Sequence, residues 1–244
     1  MRKLVEFLLL VAFLVIVPIK VAYSKTITIA VIDTGIDKIS STHLCKFGHK
    51  SFVEDDPYPL VDRVGHGTHI AGIISANAGK SGYCLVAIKF YSETATGDQN
   101  LAAMKKAITY AININVGFIN ISGGGEIPNN GEFTVVERAL NKHIVFVAAA
   151  GNEHSNLDAE CNYFPACYDP RIIMVGNLIG YSFDNPMFST LISPTSNYGN
   201  RITRWEVGTN VLSTLPGGKH GYMTGTSQAT AVATGKLVGQ ALGR

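Results

Sequence analysis

The sequence is poor in charge. Asp, Glu, Lys and Arg make up 16% of its 244 residues, against 46% hydrophobic. That balance excludes the disordered class, whose chains are too polar to bury a core. The formal net charge is only +2, so there is no basic field of the kind that holds nucleic acid. Internal repeats, low-complexity tracts and an interdomain linker are also lacking, and the length suits one sizeable domain. The apolar run Phe7–Val17 falls short of the roughly 20 residues that span a bilayer. His66 and His69 lack the HExxH spacing, and Gly79-Lys80-Ser81 lacks the first glycine of a phosphate loop, whose place is taken by Ile74. No metal or cofactor is expected.

What is present begins with an export pattern. Met1-Arg2-Lys3 precedes the apolar run, and Ala22-Tyr23-Ser24 supplies small residues for cleavage before Lys25. Residues 1–24 therefore read as a secretory signal peptide and 25–244 as the domain, with no membrane attachment after cleavage and a periplasmic or extracellular destination. Four cysteines in an exported chain imply two disulfides, with three pairings open. Cys161 and Cys167 are near enough to staple a local loop, which leaves Cys45 with Cys84. By the loop-entropy relation the long bridge contributes about 4 kcal/mol and the short one about 2 kcal/mol.

Strands and helices alternate. Thr26–Ile32 is apolar on both faces and predicts a central parallel strand. Further strands are predicted over Cys84–Tyr91, Val116–Ile121, Ile144–Ala150 and Ile172–Gly176, with an edge strand at Lys50–Val53. Helices are predicted after His66, through Leu101–Ile112 with Asp98 as cap, and over Glu132–Leu140. The segment Tyr181–Arg204 reads as irregular, and Asn210–Thr214 and Tyr222–Thr224 as short strands. The alternation predicts an α/β fold in three layers, a mostly parallel central sheet with helices on both faces.

Chemistry-bearing residues fall at the ends of these elements. Asp33 closes the first strand, and His66 stands between two glycines at a helix start. Ser122-Gly123-Gly124 follows a strand and offers bare backbone to an extended peptide. Asn152 also follows a strand, where its amide can donate to an oxyanion. Ser227 opens a small-residue, buried helix, with Thr226 or Ser227 itself as N-cap. Each has a plainer reading: Asp33 and Asn152 as turn residues, Ser227 as a cap, the glycines as a flexible loop.

Together the motifs resemble the subtilisin-like serine proteases. They are Val31-Ile32-Asp33-Thr34-Gly35-Ile36, then Gly65-His66-Gly67-Thr68-His69-Ile70-Ala71-Gly72, then Gly225-Thr226-Ser227-Gln228-Ala229. Asp, His and Ser come in the chain order of that family rather than of chymotrypsin or the α/β-hydrolases. Ala148-Ala149-Ala150-Gly151-Asn152-Glu153 is similar to the family's oxyanion segment and Asn120-Ile121-Ser122-Gly123-Gly124 to its substrate-binding strand. Ser196–Gly199 and Ser213–Gly217 also have counterparts. The resemblance implies a serine endopeptidase acting on extended polypeptide without a metal. Ser227 would be nucleophile, His66 base, Asp33 its orienting partner and Asn152 an oxyanion donor. Two places depart from the family: Ala231 stands where it usually has proline, and Glu206-Val207-Gly208 where it has Ala-Pro-Gly. No pro-segment is read between residue 24 and the first strand, so a separate folding helper or inhibitor is a candidate partner. A competing expectation is a catalytically impaired relative that binds extended peptides as a chaperone or inhibitor-like module.

Overall fold

The computed structural model describes residues 26–38, 43–180 and 191–244; the signal-peptide reading of residues 1–24 lies outside them. β1 (Ile27–Asp33) is central. Ile29 and Val31 point to one face and Ala30 and Ile32 to the other, and all four are at most 1% exposed. A strand buried on both faces needs no polar alternation, which is why this run is continuously apolar.

Around it lie β2 (Lys50–Ser51), β3 (Tyr83–Lys89), β4 (Phe118–Ile121), β5 (Val145–Ala149), β6 (Ile173–Leu178) and β7 (Arg204–Val207). The seven strands are ordered β2-β3-β1-β4-β5-β6-β7 and every pairing is parallel. The chain moves outward to one side of β1, returns, and continues on the other side through β4. Such a reversal opens a crevice at the carboxyl edge, between the loops of adjoining strands. Asp33 and Ser122 leave that edge side by side, since Ile32 pairs with Ile121.

Helices cover both faces. α1 (His66–Ala78) and α4 (Thr226–Ala241) pack together on one face over Ile29, Val31 and Leu85. α2 (Gly97–Asn113) and α3 (Asn130–Asn141) cover the other, over Ala30, Ile32 and Ile119. The predicted three-layer α/β architecture is therefore present. Two caps differ from expectation. Thr96, not Asp98, caps α2, because its side chain reaches the Gln99 N–H while Gln99 returns the bond; this reciprocal pair satisfies two orphan donors. Neither Thr226 nor Ser227 caps α4. Both lie inside it and Gly225 precedes it with extended backbone.

β7 was not foreseen as a strand. It is an edge strand whose Glu206 takes ion pairs from Arg204 at 2.9 Å and from Lys236 of α4 at 2.7 Å. At the other side, buried Lys89 at the end of β3 is held by Asp56 Oδ2 and the Val61 carbonyl, both at 2.6 Å; a buried charge persists only with such partners. β8 (Val211–Leu215) and β9 (Lys219–Met223) form a separate antiparallel hairpin. It docks on α1, where Ser213 Oγ donates to the His69 carbonyl at 2.7 Å and Thr214 Oγ1 to the Thr68 carbonyl at 3.1 Å. The Cys45 and Cys84 sulfurs are 2.04 Å apart, and those of Cys161 and Cys167 1.96 Å apart.

Candidate active site

Asp33, buried at the carboxyl end of β1, accepts from the Thr34 N–H at 2.7 Å and meets His66 Nδ1 at 2.8 Å through the same Oδ1. His66 is the first residue of α1. Gly65 precedes it at φ 92°, a left-handed conformation that suits glycine. Gly67 follows because the helix start presses on the turn after β1: a methyl group there would collide with the Gly35 carbonyl oxygen. Of the two glycines flanking His66, Gly65 thus serves the turn and Gly67 the approach of one backbone to another. The imidazole remains 27% exposed, and its Nε2 has no hydrogen-bond partner among the described residues.

Two influences compete at this ring. Burial lowers its pKa, while the Asp33 charge, the Asp33 hydrogen bond and the more distant Asp62 raise it. The net result lies above the ordinary 6.5. His69, by contrast, is pushed down, first by burial and also by the His66 charge; its Nε2 meets the Gly221 carbonyl of β9 at 3.1 Å. Its role is to fasten the hairpin.

Asp62 was missed from the sequence. It is 3% exposed. One oxygen accepts from Thr34 Oγ1, the Val64 N–H and the Gly65 N–H at 2.8, 3.2 and 2.8 Å. The other accepts from Thr68 N–H and Oγ1 at 2.8 and 2.7 Å. Thr34 Oγ1 in turn accepts from the Gly67 N–H at 2.9 Å. One buried carboxylate thus fixes the turn before His66 to the turn after Asp33. The available signal was an acidic residue shortly before a helix start, which reads as a capping group.

Ser227 lies in the first turn of α4. Its Oγ donates to the Ser122 carbonyl at 2.8 Å, and Ser122 Oγ donates to the Ser227 carbonyl at 3.0 Å. Behind them Asn120 Nδ2 donates to Ser122 Oγ at 3.0 Å and Thr234 Oγ1 to Asn120 Oδ1 at 2.8 Å. This buried chain of bonds ties α4 to β4. Asn152, exposed after β5, accepts through Oδ1 from the Thr226 N–H at 2.9 Å and Thr226 Oγ1 at 3.2 Å. An asparagine distant in sequence therefore satisfies one of the orphan donors at the start of α4. Its Nδ2 has no partner among the described residues.

Asp33, His66 and Ser122–Gly125 line one cavity of about 720 Å³, whose far wall includes Leu101, Met104 and Glu132. The backbone of Gly123 and Gly124 has no hydrogen-bond partner among the described residues, while Gly125 is paired with Phe164.

The Subtilase family model matches residues 24–239. Subtilisin NAT of Bacillus subtilis subsp. natto is 35% identical over 213 residues, covering 84% of this chain and 53% of that protein. The subtilisin of Bacillus pumilus is also 35% identical, over 84% of this chain and 73% of its own length. The chain spans about half the length of Subtilisin NAT and of three further Bacillus and Geobacillus subtilisins at the same identity. Among solved structures, a cold adapted subtilisin-like serine proteinase superposes with a TM-score of 0.71 at 24% identity, covering 91% of this chain and 77% of that one. With Asp33, His66, Asn152 and Ser227 all delivered by strand ends and helix starts to the carboxyl edge of a parallel sheet, the sequence match and the architecture agree: the chain belongs to the subtilase family.

Proposed function

We propose that the protein is an exported serine endopeptidase that cleaves extended polypeptide through an acyl-enzyme. The single observation that carries this reading is the Asp33–His66 contact at 2.8 Å in the same cleft as the Ser122 carbonyl that receives the Ser227 hydroxyl. In the structure that hydroxyl is turned to Ser122. Catalytic hydrogen bonds often tighten only when substrate is bound. Rotation of the Ser227 side chain redirects its proton toward His66 Nε2.

Ser227 Oγ then forms a bond to the peptide carbonyl carbon while His66 Nε2 takes the proton. Asp33 holds the ring by Nδ1 and stabilises its cation. The carbonyl oxygen becomes an anion between Asn152 Nδ2 and the Ser227 N–H, a group at a helix N-terminus. Collapse expels the amine, which receives the His66 proton; water repeats the steps and releases the acid. Gly123 and Gly124 pair with the substrate backbone as an added strand. Export is supported by the signal-like residues 1–24 and by the two close cysteine pairs, which persist in oxidising compartments. Among the described residues no helix is long and apolar enough to cross a membrane.

The test is labelling by a fluorophosphonate probe. Modification at Ser227 that disappears in His66→Ala is expected; a folded protein that resists the probe overturns the reading. Asn152→Ala is expected to lower kcat by roughly 10²–10³-fold, the range that removing an oxyanion donor gives in subtilisin. Steady-state hydrolysis of a chromogenic peptide measures it.

A further inference from the structure

Tyr163 has no part in the mechanism above, yet it lines the same cavity as Asp33, His66 and Ser122. It is 8% exposed. A methyl group added to Gly124 would stand 2.8 Å from its Cε1, and one added to Gly151 would stand 2.6 Å from its Cδ2. The ring is therefore wedged between the loop that follows β4 and the loop that follows β5. Its hydroxyl has no hydrogen-bond partner among the described residues. Burial, with the charges of Glu153 and Glu126, pushes the hydroxyl pKa up to about 12, so the ring stays neutral.

The wedge is fixed in place. Gly125 N–H donates to the Phe164 carbonyl at 2.9 Å, Phe164 N–H returns a bond to the Gly125 carbonyl at 2.8 Å, and Cys167 N–H donates to the Tyr163 carbonyl at 2.9 Å. The Cys161–Cys167 disulfide closes the same loop.

Under the proposed mechanism, the attacked carbonyl rests between Ser227 and Asn152 while its own chain pairs with Ser122–Gly124. Side chains of an extended peptide stand away from its pairing plane, on alternating faces. The side chain of the residue that supplies the attacked carbonyl meets the gap between the Ser122–Gly125 loop and the Ala150–Asn152 loop. That gap is where the Tyr163 ring lies. We propose that Tyr163 plugs the slot for this side chain, so that the protein cleaves after small residues (glycine, alanine or serine) and rejects aromatic and long aliphatic ones. The inference rests on the endopeptidase reading and adds the substrate class.

Peptides that differ only at the residue supplying the carbonyl, with Ala, Leu or Phe there, test it against the wild type, Tyr163→Ala and Tyr163→Phe. The wild type is expected to give kcat/KM at least about tenfold higher for Ala than for Phe, the scale on which a pocket discriminates by size. Tyr163→Ala is expected to erase or invert that ratio and Tyr163→Phe, which keeps the ring, to retain it. A wild type that prefers Phe or Leu overturns the proposal. So does a Tyr163→Ala protein that labels with fluorophosphonate at the wild-type rate but keeps the wild-type ratio. Should Tyr163→Ala fail to fold, the wild-type and Tyr163→Phe ratios decide: both favouring Ala supports the plug, and either favouring Phe refutes it. Labelling at Ser227 with a preference for bulky residues removes this inference alone, whereas no labelling removes the endopeptidase reading beneath it.

Discussion

Ser227→Ala is expected to lower kcat for peptide hydrolysis by about 10⁶-fold, the size of the loss when the subtilisin nucleophile is removed. In the proposed mechanism the substitution deletes the atom that bonds to the substrate carbonyl, and water held by the remaining groups is a poor replacement. Residual turnover comes from the oxyanion donors and from substrate positioning. Stability should change little. The lost hydroxyl makes one hydrogen bond, to the Ser122 carbonyl at 2.8 Å, and a single such bond contributes about 1 kcal/mol net. Ser122 Oγ still donates to the backbone carbonyl of residue 227, so the α4 start keeps its tether. Rate assays paired with thermal unfolding separate the two effects. Turnover within tenfold of wild type would mean that some other group is the nucleophile.

Asp33→Asn is expected to cost about 10⁴-fold in kcat and to move the pH profile as well. The wild-type carboxylate fixes the proton on His66 Nδ1, leaving Nε2 free to accept. An asparagine amide that faces Nδ1 turns it into an acceptor and places the ring proton on Nε2, where it blocks transfer from Ser227. The sign of the pH shift follows from the charges. As the proposed base, His66 works only when neutral, and its pKa is raised above the ordinary 6.5. The wild-type kcat/KM therefore rises with pH through a value above 6.5. Burial acts to lower that value, and the Asp33 charge and hydrogen bond raise it. With Asp33 neutralised, burial is opposed only by Asp62, and the acid limb moves to lower pH. A profile of kcat/KM against pH for both proteins measures the displacement. An acid limb that stays in place would detach Asp33 from His66 function.

What the sequence made legible was local. β1 could be read because Ile29–Ile32 is buried on both faces and needs no partner to declare itself. α1 and α4 could be read because small residues crowd their starts, and so could the position of Asp33, His66, Asn152 and Ser227 near element ends. What stayed hidden depends on contacts across the chain. β7 is polar at Arg204 and Glu206, and its burial partner Lys236 lies on α4. The α4 start is satisfied by Asn152 from 74 positions away, so the nearby hydroxyls misled the assignment of its cap. Asp62 is an ordinary loop acid until folding puts Thr34 and Thr68 around it. Tyr163 reads as one aromatic among many until Gly124 and Gly151 are seen on either side of its ring.

The β8–β9 hairpin carries a mechanical consequence. It grips α1 through the Thr68 and His69 carbonyls and the His69 ring, and its second strand runs almost directly into Ser227. In the proposed mechanism the proton acceptor His66 and the proton donor Ser227 are thereby braced by one hairpin, in addition to their bonds to Asp33 and Ser122 at the sheet edge. The opposite bank of the cleft is held as firmly, by the paired Gly125 and Phe164 backbones and the Cys161–Cys167 bridge, so a peptide must suit the cleft as it stands.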